Sequence, residues 1–247
     1  MSSTDSMSST DSMSSTDGMS STDSTDSMSS TDSMNSTDSM YERMHRAWGR
    51  KAPVRIDRDE RRGAAVMILL VPGDSGPEIL FEIRAGHVAQ PGEVCFPGGA
   101  IEEGETPREA AVRECMEELL VKKKQIRVLS PMHEMGAHGG RTVWSYLGTL
   151  SGYDGSFDPE EVAEVFTVPL AWFLEHDPEA HVVELVQVRG EDYPYDLIPG
   201  GKAYPFRGSK TRAYFYRVPV KGREIIIWGM TAKLLHEFVE RYRRDLL

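Results

Sequence analysis

The stretch "TPREAAVRECMEELLV", Thr106 to Val121, holds Glu109, Glu114, Glu117 and Glu118 in an otherwise apolar, helix-favouring run. Thr106 suits an N-cap, Pro107 the first helical position, and Glu109 stands three residues after the cap, the spacing of a capping box. The pattern predicts a helix from about Pro107 to Leu120. Ala111, Cys115 and Leu119 form one apolar stripe and Val112, Met116 and Leu120 a second beside it, and both are expected to face the core. Glu109, Arg113 and Glu117 recur every four residues with alternating sign, which supports a helix by about 0.2–0.5 kcal/mol per pair. Glu114 and Glu118 have no such explanation. They lie one turn apart with the same charge, and Glu117 is three residues from Glu114, so their repulsion costs about what the opposite pairs gain. The helix alone leaves two readings open, a divalent-cation site or a solvated acidic face, with Lys122 available to Glu118 if the helix continues.

The preceding loop, "FPGGAIEEGE", favours the cation. Gly98 and Gly99 stand directly before the acids, and glycines let backbone approach a ligand closely. Carboxylates on one helix face, with a backbone carbonyl at hand and no soft ligand except a core-facing Cys115, suit a hard ion such as Mg²⁺ or Mn²⁺. Such an ion keeps positions for water and phosphate oxygens, so the inferred chemistry is attack on a phosphate ester or anhydride.

The segment Gly99 to Val121, "GAIEEGETPREAAVRECMEELLV", resembles the 23-residue signature of the Nudix hydrolases: Gly99, Glu105, Arg113, Glu114, Cys115, Glu117, Glu118 and Val121 stand at its fixed positions. Leu120 departs, standing where the family has a glycine that ends the helix in the left-handed region. It is expected to change how the helix stops, or to cost roughly 1 kcal/mol if the backbone stays put. Upstream, "ILFEIRAGHVAQPGEVCFPGG" resembles the additional signature of the coenzyme A pyrophosphatase branch through Arg84, Ala85, Gly92, Val94, Phe96, Pro97, Gly98 and Gly99. Here the segment from Arg84 to Gly92 is one residue short, and His87, Val88 and Ala89 occupy the neighbourhood of a missing basic residue. "EEVAEVFTVPLAWFL" and "WGMTAKLL" resemble later stretches of that branch, and the region "YDLIPGGKAYPFRGSKTRAYFY" is longer than usual.

The resemblance implies an α/β (α+β) fold, a Nudix-type α/β/α sandwich with a mixed β-sheet and a catalytic loop-helix. It implies metal-dependent hydrolysis of the diphosphate bond of coenzyme A or its thioesters to 3′,5′-ADP and 4′-phosphopantetheine. The alternatives are another nucleoside diphosphate derivative (ADP-ribose, a dinucleotide, a damaged nucleotide) or a ligand sensor without catalysis, against which the retained glutamates speak. By the same resemblance Glu114 and Glu118 are the main ligands of Mg²⁺ or Mn²⁺, with Glu117 a third and the Gly98 carbonyl a fourth. Arg113 orients Glu117, and Glu105 supports the loop or a water. The general base is Glu117 or one of Glu160, Glu161 and Glu164, with Glu161 carried as a catalytic candidate. Arg84 and Phe96 are candidates for the substrate, Arg84 equally as a strand-end ion pair. Lys202, Arg207, Lys210 and Arg212 are either a 3′-phosphate contact or a solvated basic loop.

The chain has 247 residues and a net charge of −11. Seven aspartates and no Lys or Arg lie in residues 1–40, and the remainder holds 32 acids against 28 bases, near −4. That balance gives no reason to expect nucleic acid or an anionic membrane as partner, and it leaves a small-molecule substrate, with room for a homodimer. Residues 1–40 repeat "MSSTDS" with small slips, contain no aromatic, Leu, Ile or Val, and are expected to be a disordered tail. Residues 41–247 are expected to form a single domain. Cys95 and Cys115 are too few for a disulfide framework and read as buried thiols. With no apolar run of spanning length and no secretory signal, a cytoplasmic protein is expected.

Beyond the helix, "AAVMILLV" (Ala64–Val71), "EILFEIRA" (Glu78–Ala85), Glu93–Phe96, "IRVLSPMHEM", "RTVWSYLGTL", "AYFYRV" and "EIIIWG" are predicted as strands. "SGYDGSFDPEE" is predicted as loop, and "VPLAWFLEH" and "TAKLLHEFVERYRRDLL" as helices, the latter with Ala232, Leu235, Val239 and Tyr242 on one stripe. "HEMGAH" misses zinc-protease spacing because His133 and His138 are five apart, and "DGSFDPEE" misses a calcium loop.

Overall fold

Strand β1, Ala64–Gly73, is apolar at nearly every position because it is covered on both faces. Ala65, Met67, Leu69 and Val71 point to one side, where helix α1 (Pro107–Glu118) lies. Ile68 points to the other, toward α2 (Leu170–Glu175), α3 (Gly229–Leu246) and a second sheet. The computed structural model describes residues 63–136 and 141–247. The expected tail of residues 1–40, the start of folded chain near Tyr41 and His138 lie outside them.

The main sheet, seven-stranded among the described residues, is mixed. β1 runs parallel to β6 (Thr142–Leu150), and β6 pairs antiparallel with β5 (Ile126–Gly136). On its other edge β1 pairs antiparallel with β2 (Gly76–Arg84) at one end and with β4 (Gly98–Ala100) at the other. β2 in turn pairs with β3 (Val94–Cys95) and, along its whole length, with β7 (Val162–Pro169). A smaller antiparallel sheet orders β8 (Glu179–Leu185), β9 (Ser209–Val220) and β10 (Arg223–Ile227) as β10-β9-β8. Buried side chains from β9, β10 and α3, among them Tyr216, Val218, Ile227, Leu235 and Phe238, complete the core on that side. The α/β/α sandwich with a mixed sheet and an acidic loop-helix is therefore the observed fold.

The predicted strands are all present. β4, β7 and β8 were not anticipated. The stripe of α3 is broader than expected, since Leu234 and Phe238 join Ala232, Leu235 and Val239, while Tyr242 is partly buried. Two further corrections concern burial. On α1, Ala110, Ala111, Cys115 and Leu119 are buried, but Val112 and Met116 line an open cleft with Glu102, Glu105, Arg113 and Glu117, and Leu120 is exposed. Cys95 is only half-buried, unlike Cys115.

Candidate metal centre

The ends of α1 are set by its sequence. The Thr106 hydroxyl accepts from the Glu109 N–H at 3.3 Å, and the Glu109 carboxylate accepts from the Thr106 N–H at 2.9 Å. These reciprocal bonds fix the helix start, and with it the register of every acid that follows. At the far end Leu120 takes φ +52° with its side chain 58% exposed. The helix thus stops in the left-handed region even without glycine, and the altered ending expected of Leu120 does not occur. The backbone stays put and carries the strain.

Two glycines bring the loop against the helix. A Cβ on Gly98 (φ +149°) would meet the Ala65 carbonyl oxygen at 2.3 Å, so only glycine lets β4 lie this close to β1. A Cβ on Gly99 would strike the Glu114 carboxylate at 2.4 Å. The Gly98 N–H donates to Glu118 Oε2 at 2.7 Å.

The acids of α1 divide into two sets. Arg113 donates to both oxygens of Glu105 at 3.0 and 3.1 Å, to Glu117 at 2.9 Å and to the Ala100 carbonyl at 2.9 Å, and its Nη1 lies 3.1 Å from Glu114. The Arg113 hydrogen bonds hold the Glu105 carboxyl below the usual carboxylate range, and Glu105 in return raises the guanidinium. Glu118 has no such cation. It is 4% exposed, and burial, aided by Glu114 and Glu161, pushes its carboxyl up to about 8 against the lowering effect of the Gly98 N–H. Burial also raises Glu114, with Arg113 opposing.

Glu114, Glu118 and Glu161 each bring a carboxylate oxygen within 4.8 Å of the others. Glu161 arrives from the segment before β7, anchored where its carbonyl accepts from the Ala85 N–H at 2.9 Å. Three oxygen ligands and no soft atom in the group fit a hard divalent cation. Glu117 stands outside this group, exposed and tied to Arg113. Gly98 meets it through the N–H.

The other expected residues scatter. Glu160 faces His87 at 3.5 Å, and Glu164 is ion-paired with Arg223. Arg84 donates from Nε to the Ala89 carbonyl at 2.7 Å, bracing its own loop, while its charge eases those of Glu82 and Glu118. Phe96 must be corrected. It is 2% exposed and stacks on Phe81 at 5.2 Å, so its ring belongs to the core and is closed to a substrate. Lys202, Arg207, Lys210 and Arg212 are exposed, and Lys210 pairs with Glu184 of β8 at 2.7 Å.

Glu82 escaped the sequence. Its place in β2 reads as a polar position on a wet face, yet it is 1% exposed. Burial and the neighbouring Glu118 carboxyl raise it well above the usual range, and its Oε1 has no hydrogen-bond partner. Cys95 Sγ lies 4.0 Å from its Oε2, and the Cys95 thiol is pushed up to about 12, by burial first and then by Glu82. The available signal was period two: Leu80, Glu82 and Arg84 share the face on which Leu80 meets α1.

The NUDIX domain model matches residues 61–187. The Nudix hydrolase NudL of Enterobacter sp. (strain 638), itself uncharacterised, is 31% identical over 182 residues, covering 72% of this chain and 81% of that protein. The chain belongs to the Nudix family. The mouse peroxisomal coenzyme A diphosphatase NUDT7 is 28% identical over 173 residues, covering 69% of this chain and 66% of that protein. NudL of Photorhabdus laumondii is 26% identical over 185 residues, covering 74% and 86%. This Nudix hydrolase is accordingly an enzyme of phosphoanhydride cleavage, and of the three converging acids Glu114 and Glu118 lie on α1, with Glu161 joining them from the segment before β7. No helix among the described residues is long and apolar enough to cross a membrane.

Proposed function

We propose that this Nudix hydrolase cleaves the diphosphate bond of coenzyme A or its thioesters with Mg²⁺ or Mn²⁺, releasing 3′,5′-ADP and the 4′-phosphopantetheine half. The observation that carries the hydrolytic reading is the convergence, within 4.8 Å, of Glu114 and Glu118 of α1 with Glu161 from the segment before β7. The substrate is supported by the likeness to the mouse coenzyme A diphosphatase.

Glu114 and Glu118 would hold the cation, with Glu161 at the rim of the group and the Gly98 N–H orienting Glu118. When bound, the cation neutralises the diphosphate and lowers the pKa of an attacking water. Glu161, exposed at the rim of the group, accepts a proton from the water. Arg113 acts as a positioning residue, since its fork fixes Glu105, Glu114 and Glu117 together. Arg84, at the end of β2 beside the group, contacts a substrate phosphate once its loop yields the Ala89 bond.

The test is release of product from coenzyme A, acetyl-coenzyme A, ADP-ribose and a diadenosine polyphosphate, each with Mg²⁺, Mn²⁺ or EDTA. The highest kcat/KM is expected for coenzyme A or its thioester. A preference for ADP-ribose would transfer the substrate while leaving the centre intact, and no cleavage of any of them would refute the hydrolytic reading.

A further inference from the structure

Among the described residues β8 is the outer strand of the small sheet, and its open edge differs from that of the main sheet. β5, the last strand of the main sheet, is blunted. Its register with β6 shifts twice, it carries Pro131, and Arg241 of α3 donates to its Met132 carbonyl at 3.4 Å. Bulges, prolines and charged cover are the usual devices against the addition of another strand. β8 has none of them. Its 7 residues run in unbroken register with β9 and include no Pro, Lys or Arg. It is also bare on both faces, with Val182 64% exposed on one and Val183 39% exposed on the other. β8 pairs with Ser209–Phe215 of β9, whereas β10 pairs with Tyr216–Val220, and the buried side chains of β9 begin only at Tyr214. β8 and the first half of β9 are thus a two-stranded ribbon that the core does not cover. Such a ribbon is marginal in water without a third strand or a packed face.

We propose that the third strand is β8 of a second copy of this chain, added antiparallel about a two-fold axis so that the two small sheets become one. The row of main-chain donors and acceptors along an open edge calls for a strand, and β8 fits itself. When β8 is aligned with itself in full, the axis passes through Val182. Val182 then faces the partner's Val182, His181 faces the partner's Val183, Ala180 the partner's Glu184 and Glu179 the partner's Leu185. No acid meets an acid, whereas centring the pairing two residues later would set Glu184 against the partner's Glu184. Both acids are already answered from β9, Glu179 by Arg217 at 2.6 Å and Glu184 by Lys210 at 2.7 Å, so two copies approach without repulsion. The contact uses the same patch on both copies and closes as a dimer. It brings the exposed Val182, Val183 and Leu185 against the apolar side chains of the other copy. The pairing is independent of the cation centre.

The test is sedimentation equilibrium of the full chain over a range of concentrations, for the natural sequence, Val182→Lys, Val182→Cys and Val188→Cys. The natural sequence is expected to reach twice the 27.6 kDa of the chain, with a melting temperature that rises with protein concentration. Val182→Lys puts two like charges on the axis and is expected to weaken association roughly tenfold or more. Under diamide, Val182→Cys is expected to form a covalent dimer, because residues opposed in an antiparallel pair lie within disulfide reach. Val188→Cys, 92% exposed but beyond β8, is expected to stay at the background set by Cys95 and Cys115 in the natural sequence. The crosslink keeps the proposal falsifiable should Val182→Lys fail to fold. A monomer at every concentration would overturn it, whether β8 is then covered by another part of this chain or by an unrelated strand. A dimer that Val182→Lys leaves intact and Val182→Cys does not crosslink would place the interface elsewhere and overturn it too. Growth beyond the dimer would do the same, since it requires a contact that does not close on itself.

Discussion

Two rows of acids run along the same helix one residue apart, and the fold treats them oppositely. The outer row, Glu109, Arg113 and Glu117, carries its own counter-charge. Arg113 clasps Glu105 and Glu117, and every charge in the row is answered by the protein. The inner row, Glu114 and Glu118, turns under the glycine loop, where Glu118 is buried beside a second enclosed carboxyl, Glu82. A row that neutralises itself is structure. A row that gathers acids in a desolvated place, with Arg113 reaching only Glu114 and no cation at Glu118, is the candidate for holding a cation.

The sharpest way to break this contrast is to neutralise one member of each row. Glu118→Gln is expected to lower kcat by roughly 10³-fold, since it removes charge that holds the cation. In EDTA it should raise the melting temperature above about pH 8, where the Gln carbonyl still accepts from Gly98 and a buried like charge disappears, and change it little at lower pH, where Glu118 is already neutral. Arg113→Ala should do the reverse in proportion. It strands Glu105, Glu114 and Glu117, with an expected loss of about 2 kcal/mol in denaturant unfolding and a smaller loss of turnover. Arg113→Lys is not expected to restore either, because an ammonium cannot span the carboxylates that the guanidinium fork joins.

The rows also differ in their response to pH. Glu118 titrates at about 8 in the folded protein against 4.5 for an ordinary glutamate, so the folded state keeps a proton that the unfolded chain gives up. Its contribution to stability is complete below pH 4.5, declines as pH rises and is exhausted above about 8. In EDTA the melting temperature should therefore fall between these limits, and Glu118→Gln should flatten the decline. Glu105, lowered by Arg113, works in the opposite sense and loses its contribution as pH drops below the ordinary carboxylate range.

How far these differences could be read from the chain depends on where the signal lay. The capping box, the four-residue row and the continuous apolar run of β1 are local patterns, and each produced the element it promised. β8 carries no such pattern: all its residues are exposed, so no period separates one face from the other. β7 interrupts its apolar residues with Glu164, which an ion pair with Arg223 accommodates only in three dimensions. In the site, Glu114 and Glu118 were legible because the helix itself places them together. Glu161 stood among several loop acids until the Ala85 hydrogen bond placed it. Glu82 was illegible because an acid alternating with apolar residues looks like the wet side of a strand, and only the α1 layer makes that side dry. Phe96 misled for the converse reason. It adjoins the glycine loop in sequence, but just past β3 its ring turns into the core and stacks on Phe81.

The smallest expected effect lies where the helix stops. Leu120 at φ +52°, exposed, gains little from its side chain and strains the backbone. Leu120→Gly should relieve that strain and raise stability by about 0.5–1 kcal/mol, net of the added freedom of the unfolded chain, with kcat unaffected. A loss of stability would show that Leu120 makes contacts that outweigh its conformation.

The most direct measurement is the melting temperature of the full chain titrated with Mn²⁺, compared with the double variant Glu114→Gln/Glu118→Gln. An ion that binds only the folded state raises the melting temperature in step with its concentration. The natural sequence should show that rise and gain coenzyme A hydrolysis over the same range, and the double variant should show neither. A rise of equal size in both proteins, or none in the natural sequence, would contradict a cation centre on the inner face of α1.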